Sequence, residues 1–343
     1  MEIGLYTFGD ITPDPRTGKA IPVPQRYAEI LAAARLADEA GLDVFGVGEH
    51  HRLDIPVSSP AVLMAAIGGM TRRIRLTSGV TILSTLDPVR VFEDFATLDL
   101  ATAGRAEIIT GRGAFTESFS TFGYDIANYD ALFAEHLDLL MKLNTGERIS
   151  WSGRFRSPLD NAQVAPRPWS GELPIWIGVG GTLASAERAG RLGLPLALAN
   201  ISKPPAELAP QIAAYRARGA EAGHDPKRLR VAVTGHLHVQ KDAQAARDSF
   251  YPYLAAYFRS HAPDSSYAPD VSRETYDARA RPTGSLFVGS PQEIVDKVLY
   301  ERELFGHQRF LAQIDIGGLP YSEVARVIES LATDVAPVLR REG

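Results

Sequence analysis

Short apolar runs alternate along the chain with longer stretches whose apolar positions recur every three or four residues. The first kind reads as buried strand and the second as amphipathic helix. Residues 3–8 give the first strand. After a proline-containing loop, residues 24–40 carry Tyr27, Ile30, Leu31, Ala34 and Leu36 on one helical stripe that stops at Gly41. Residues 42–47 are the second strand, and Ser58-Ser59-Pro60 has the form of a cap opening a helix to about residue 71. A strand at 74–82, a helix at 88–101 and a strand at 106–110 follow, then a loop to about 129 and a helix at 130–145.

Residues 146–173 interrupt the rhythm with Trp151, Pro158, Pro166, Pro168 and Trp169, and read as an excursion with short antiparallel strands. Strands at 173–179, 195–199, 229–239 and 309–314 resume it, with helices at 183–192, 205–222, 243–259, 291–304 and 320–339. Residues 261–288 form a long polar, proline-containing stretch, a length usual for functional lids or disordered segments. About eight strand–helix units predict a parallel sheet covered by helices, and the count favours a closed (β/α)8 TIM barrel over an open sheet. One domain over 1–343 is expected, with insertions near 113–130, 146–173 and 261–288.

Composition narrows the function. Hydrophobic residues are 45% and charged residues 22%, which fits a folded enzyme rather than a disordered chain. A net charge of −5 leaves no basic footprint for nucleic acid. With no cysteine, thiol nucleophiles and cysteine metal sites are excluded. No apolar run approaches the roughly 18 residues of a membrane helix, and Met1-Glu2-Ile3-Gly4 does not open a signal-type segment, so a cytoplasmic protein is expected.

The chemistry gathers behind strands. Glu49-His50-His51 follows the second, where a barrel carries its active site, and a histidine exchanges protons near neutral pH. Arg112 lies between Gly111 and Gly113, which let a ligand approach; its guanidinium suits a phosphate, or else pairs with Glu107 or Glu117. Gly178-Val179-Gly180-Gly181-Thr182 opens a helix whose free N–H groups, with Thr182 and Ser185, make an anion site. Leu183 stands where a dinucleotide fingerprint needs glycine. His236 and His238 share a strand face and could join His50 and His51 around a metal, but no carboxylate set accompanies them and no metal site is assigned.

At these residues the chain resembles the bacterial luciferase-like flavin monooxygenase family over nearly its whole length. The likeness runs through Glu49-His50-His51, the 80–85 segment, Asp87-Pro88-Val89-Arg90, Gly104-Arg105, Gly111-Arg112-Gly113 and the 180–195 block. It implies a (β/α)8 barrel that takes reduced FMN and O2, forms a flavin C4a-peroxide and oxygenates a small organic substrate. It implies His50 and His51 as the catalytic histidines, with His51 and Glu49 at the flavin site. It also implies a cis peptide at Gly79-Val80 beneath the flavin ring, and Arg112, Gly180, Gly181, Thr182 and Ser185 around the FMN phosphate. His236 would line the substrate pocket, and 261–288 would be the lid. Gly111 replaces a reactive cysteine of luciferase and Gly181 a glutamate, which argues against light emission. A separate flavin reductase and a homodimer are implied, with Ala65, Ile67, Phe92 and Phe95 on the dimer side. The alternatives are a deazaflavin-dependent hydride transferase of the same superfamily, a metal-dependent barrel hydrolase and a non-catalytic flavin-binding protein.

Overall fold

The computed structural model describes residues 1–113, 115–261 and 271–342. Its strands are β1 (Glu2–Thr7), β2 (Val44–Val47), β3 (Arg75–Ser78), β4 (Thr81–Ile82), β5 (Ala106–Gly111), β6 (Arg148–Trp151), β7 (Leu159–Gln163), β8 (Ile175–Val179), β9 (Leu196–Ala199), β10 (Val231–Val239), β11 (Phe287–Gly289) and β12 (Arg309–Gln313). Its helices are α1 (Val23–Glu39), α2 (Pro60–Met70), α3 (Pro88–Ala101), α4 (Glu117–Phe122), α5 (Tyr129–Thr145), α6 (Leu183–Leu192), α7 (Ala209–Glu221), α8 (Ala243–His261), α9 (Arg273–Ala280), α10 (Pro291–Phe305), α11 (Tyr321–Ser330) and α12 (Ala336–Glu342).

Eight strands, β1, β2, β3, β5, β8, β9, β10 and β12, pair in parallel in that order, and β12 returns to β1, so the sheet closes into a (β/α)8 barrel. Alternation along each strand divides the side chains. Ile3, Leu5, Phe45, Ile108, Ile175, Ile177, Val231 and Val233 belong to the cluster shared with the helices, whereas Tyr6, Val44, Ile109, Trp176, Ala197, Ala232 and Leu311 pack together inside the barrel.

Below that inner cluster the strand N-termini carry charge. Arg309, fully buried, holds both oxygens of Glu107 at 2.6 and 3.0 Å and Glu2 at 2.7 Å, and lies over the Trp176 ring. Arg75 and Arg230 complete this plug on Glu2. Glu107 therefore lies in the barrel floor, far from the Arg112 pairing that the sequence allowed. The chemistry is left to the opposite, C-terminal mouth.

Several boundaries differ from expectation. The strand expected over 74–82 is split into β3 and β4 at a cis peptide between Gly79 and Val80. The Ser59 side chain makes no cap bond at α2, whereas Asp87 caps α3 by accepting from Val89 and Arg90 N–H, and Ser290 and Glu293 form a capping box on α10. The 146–173 excursion contains the antiparallel pair β6–β7. The loop before residue 129 contains α4, and the final helix is interrupted by a π-helical turn over Leu331–Val335. The expected lid at 261–288 lies partly outside the described residues. The remainder is not an open loop: it contains α9 and β11, and β11 pairs with the end of β10.

Candidate active site

Beyond β2, Gly48 lets the chain pass the Phe8 ring, because a Cβ there would come within 2.1 Å of it. Glu49 then turns inward and is buried. Its carboxylate accepts the Ile82 N–H at 3.0 Å and meets His51 Nε2 at 3.0 Å. Both oxygens are thus engaged by protein, and Glu49 ties His51 to the start of the segment after the cis peptide. His51 also stands edge-on to Phe122.

His50 is buried between the rings of Phe8 and Phe115, with centroids 4.9 and 5.1 Å away. Its Nδ1 is 3.6 Å from Glu117 Oε1, and neither atom has a hydrogen-bond partner. Burial raises the Glu117 carboxyl, but His50 and Arg52 outweigh burial and hold it below its ordinary value. Sequence reasoning missed Glu117 as the neighbour of His50, because α4 is a short helix with no clear apolar stripe.

Glycine makes room beside His50. A Cβ at Gly111 would lie 2.4 Å, and one at Gly178 2.8 Å, from a Val80 methyl, so both positions must be bare for Val80 to pack there. Gly180 faces open space, and Gly79 has only the Tyr6 side chain near, at 3.8 Å. Gly178 was expected only as the start of the anion motif; its packing role follows from Val80, a contact across strands that sequence does not display.

At the edge of this glycine-lined hollow, Gly181 takes φ +89° and Thr182 begins α6 without a side-chain cap bond. The first-turn N–H groups of α6 remain available. Thr182 Oγ1 donates to Ser185 Oγ at 2.8 Å, and Ser185 Oγ accepts from Arg112 Nη2 at 2.9 Å. Arg112 lies over the Tyr129 ring and also binds Asp130, not Glu107 or Glu117. Arg188, unremarked in the sequence, lies close enough that burial and the like charge of Arg112 push its guanidinium below the ordinary value. Two guanidinia, two hydroxyls and a helix N-terminus thus converge, a set with the chemistry to bind a phosphate monoester.

The other side of the mouth is polar and closed by α8. His236 meets Tyr257 and Phe258 edge-on. Burial and Arg279 push its pKa down to about 3. His238 instead stacks on Phe250 and meets Gln240, so the four histidines do not converge. Among the described residues no group of three or more His, Asp or Glu has metal-holding geometry. Asp315 and Asp10 flank Arg26, and His261 joins Thr12 at 2.8 Å to Asp54 at 2.9 Å.

Known proteins are similar to this chain over nearly its whole length. The alkanal monooxygenase alpha chain of Photorhabdus luminescens is 24% identical over 91% of this chain and 92% of its own. The oxygenase component of the flavin-dependent trigonelline monooxygenase of Acinetobacter baylyi is 23% identical over 98% and 95%. The crystal structure of monooxygenase RslO1 from Streptomyces bottropensis superposes with a TM-score of 0.86 at 25% identity, covering 98% of this chain and 99% of that one. The sequence model described as luciferase-like monooxygenase matches residues 1–308, and the chain belongs to that family.

Proposed function

We propose that the protein is the oxygenase component of a two-component system. It takes reduced FMN from a separate flavin reductase and transfers one atom of O2 to a small organic substrate, the other leaving as water while FMN is released oxidised. The observation that carries this reading is the set Arg112, Ser185, Thr182 and the open first turn of α6, at the edge of a glycine-lined hollow beside His50. The residues fit the cofactor: the anion set matches its phosphate, and the bare positions at Gly79 and Gly180 leave space for a flat ring system.

Reduced flavin supplies the electrons and the O2 reactivity. The chain's part is to bind, orient and keep water out. Arg112, Arg188 and the α6 N–H groups neutralise the phosphate. Glu49 fixes His51. Phe8 and Phe115 hold the His50 ring in an apolar slot, where Nδ1 can pass a proton with Glu117 at hand. A homodimer through α2 is part of the proposal. Ile67, Phe92 and Phe95, expected at that face, are buried in the protein's own core, but Val62, Ala65 and Met70 remain exposed on α2. We also propose one domain and a cytoplasmic location; no helix among the described residues is long and apolar enough to cross a membrane.

The test is anaerobic titration with photoreduced FMN, with oxidised FMN and reduced deazaflavin as comparators, followed by mixing with O2 in a stopped-flow spectrometer. Tight, selective binding of reduced FMN and a transient oxygenated flavin species are expected. His50→Ala should bind reduced FMN as before but lose about 10²-fold or more in oxygenation rate, the size of a general acid–base contribution. Binding of deazaflavin alone would move the assignment to hydride transfer, and binding of neither would end the flavin reading.

A further inference from the structure

Three neighbouring strands bring polar side chains to the wall facing the glycine half of the mouth. Gln313 on β12 pairs in register with Tyr6 on β1 and with His236 on β10, so the three side chains stand in one row. Leu311 and Ala232, which share strand parity with Gln313 and His236, belong to the cluster inside the barrel. The row therefore faces the interior, above that cluster and at the C-terminal mouth.

All four polar atoms of this pair, both His236 nitrogens and the Gln313 amide nitrogen and oxygen, are buried without a hydrogen-bond partner. Gln313 nevertheless lies close enough to His236 and to the Tyr257 hydroxyl to interact with both, so the three side chains form one polar group. A buried orphan of this kind is destabilising, and native structures satisfy nearly all of them with protein, water or ligand. Four such atoms on two adjacent side chains can offer donors and acceptors to an occupant of the mouth.

We propose that His236 and Gln313 are specificity-determining residues that select a substrate bearing an uncharged group able both to donate and to accept hydrogen bonds, of the carboxamide class. The proposal rests on the oxygenase reading above for calling the occupant a substrate.

The chemistry of the wall is neutral. His236 is uncharged near pH 7, so it offers one donor and one acceptor, as the Gln313 amide does. Burial and the carboxylates of Asp10 and Asp315 push the Tyr257 hydroxyl far up, so it too stays neutral. An anionic group would face Asp10 and Asp315, and a cationic one would face Arg279. The Tyr257 and Phe258 rings give the rest of the molecule an apolar flank.

The experiment uses the full chain and three probes on one ring: benzamide, benzoate and benzylammonium. Their binding is measured by ligand-observed NMR. Benzamide should bind about tenfold or more tightly than either ion, and Gln313→Leu and His236→Phe should each weaken it about fivefold to tenfold, the scale of one lost neutral hydrogen bond. Gln313→Glu keeps the polarity and shape and should shift preference toward benzylammonium, so the idea remains testable if the apolar variants do not fold. Equal binding of the three probes, no binding of benzamide, or unchanged preference in Gln313→Glu would overturn the proposal. Titration with photoreduced FMN runs in parallel. Loss of flavin binding with the benzamide preference intact sinks the oxygenase reading alone, and the reverse sinks the specificity wall alone.

Discussion

Arg112 has two partners of opposite consequence for an incoming phosphate. Ser185 belongs to the anion site and holds the guanidinium in place, whereas Asp130 competes for the same charge. Arg112→Ala removes a charged donor, worth about 1.5–3 kcal/mol, so affinity for reduced FMN should fall by roughly tenfold to a hundredfold. Asp130→Asn should do the opposite. Its carboxylate is two-thirds exposed, with side-chain accessibility 67%, so its hold on Arg112 is that of a surface pair, about 0–1 kcal/mol. Flavin binding should therefore tighten by no more than about fivefold. Fluorescence titration of both variants reads the difference. Weaker binding in Asp130→Asn would mean that the carboxylate orients Arg112 rather than competing with the ligand.

Strands carry the plug at the other end of the barrel, and its cost is one of burial. Glu107 on β5 neutralises Arg309 on β12, which has no exposure to water. Glu107→Leu would leave that guanidinium to Glu2 alone, with a loss of about 3–5 kcal/mol or somewhat less in urea denaturation. Glu107→Leu combined with Arg309→Met should recover most of the loss, since an apolar pair leaves no uncompensated charge. A single variant as unstable as the double would show that shape rather than charge is at stake. The same elements show what sequence can convey. Barrel strands such as β2, β5 and β8 are legible because each is a local apolar run. Helices α1, α3 and α6 are legible from their apolar periodicity, and α1 also from its stop at Gly41. Helix α9 and strand β11 were not, since a polar helix and a three-residue strand carry no periodic signal. Glu49-His50-His51 and the start of α6 were legible because their neighbours are sequential. The Arg112–Asp130 pair, the Val80 packing on Gly111 and Gly178, and the orphaned Gln313 were not, because each is made by chain segments that meet only after the barrel closes.

The folded molecule as a whole keeps three histidines uncharged: His236, His238 and His307, with pKa values pushed down by burial to about 3, 4 and 3. In the unfolded chain each would titrate near 6.5. Between that value and about 4 the unfolded state binds protons that the folded state refuses, so the stability they confer is complete above pH 6.5 and lost as pH falls. Glu301 acts in the opposite sense. Burial raises it to about 8, so between 4.5 and 8 the folded state holds a proton that the unfolded chain releases. Asp315, also raised by burial, opposes the histidines likewise. The sum therefore reports a contest, and a single variant isolates one contributor. His307 is the best choice, because it is buried, neither ring nitrogen is hydrogen-bonded, and it stands outside the mouth on the turn before β12. Replacing it by Leu removes a group that must stay neutral. Stability near pH 7 should change little or rise, since an unsatisfied polar ring gives way to an apolar side chain. Between pH 6 and 4.5 the variant should lose stability less steeply than the natural chain, by about one proton, or about 1.4 kcal/mol per pH unit. Scanning calorimetry at several pH values measures this. Parallel curves for the two proteins would mean that His307 accepts a proton in the folded state, and hence that water reaches it there.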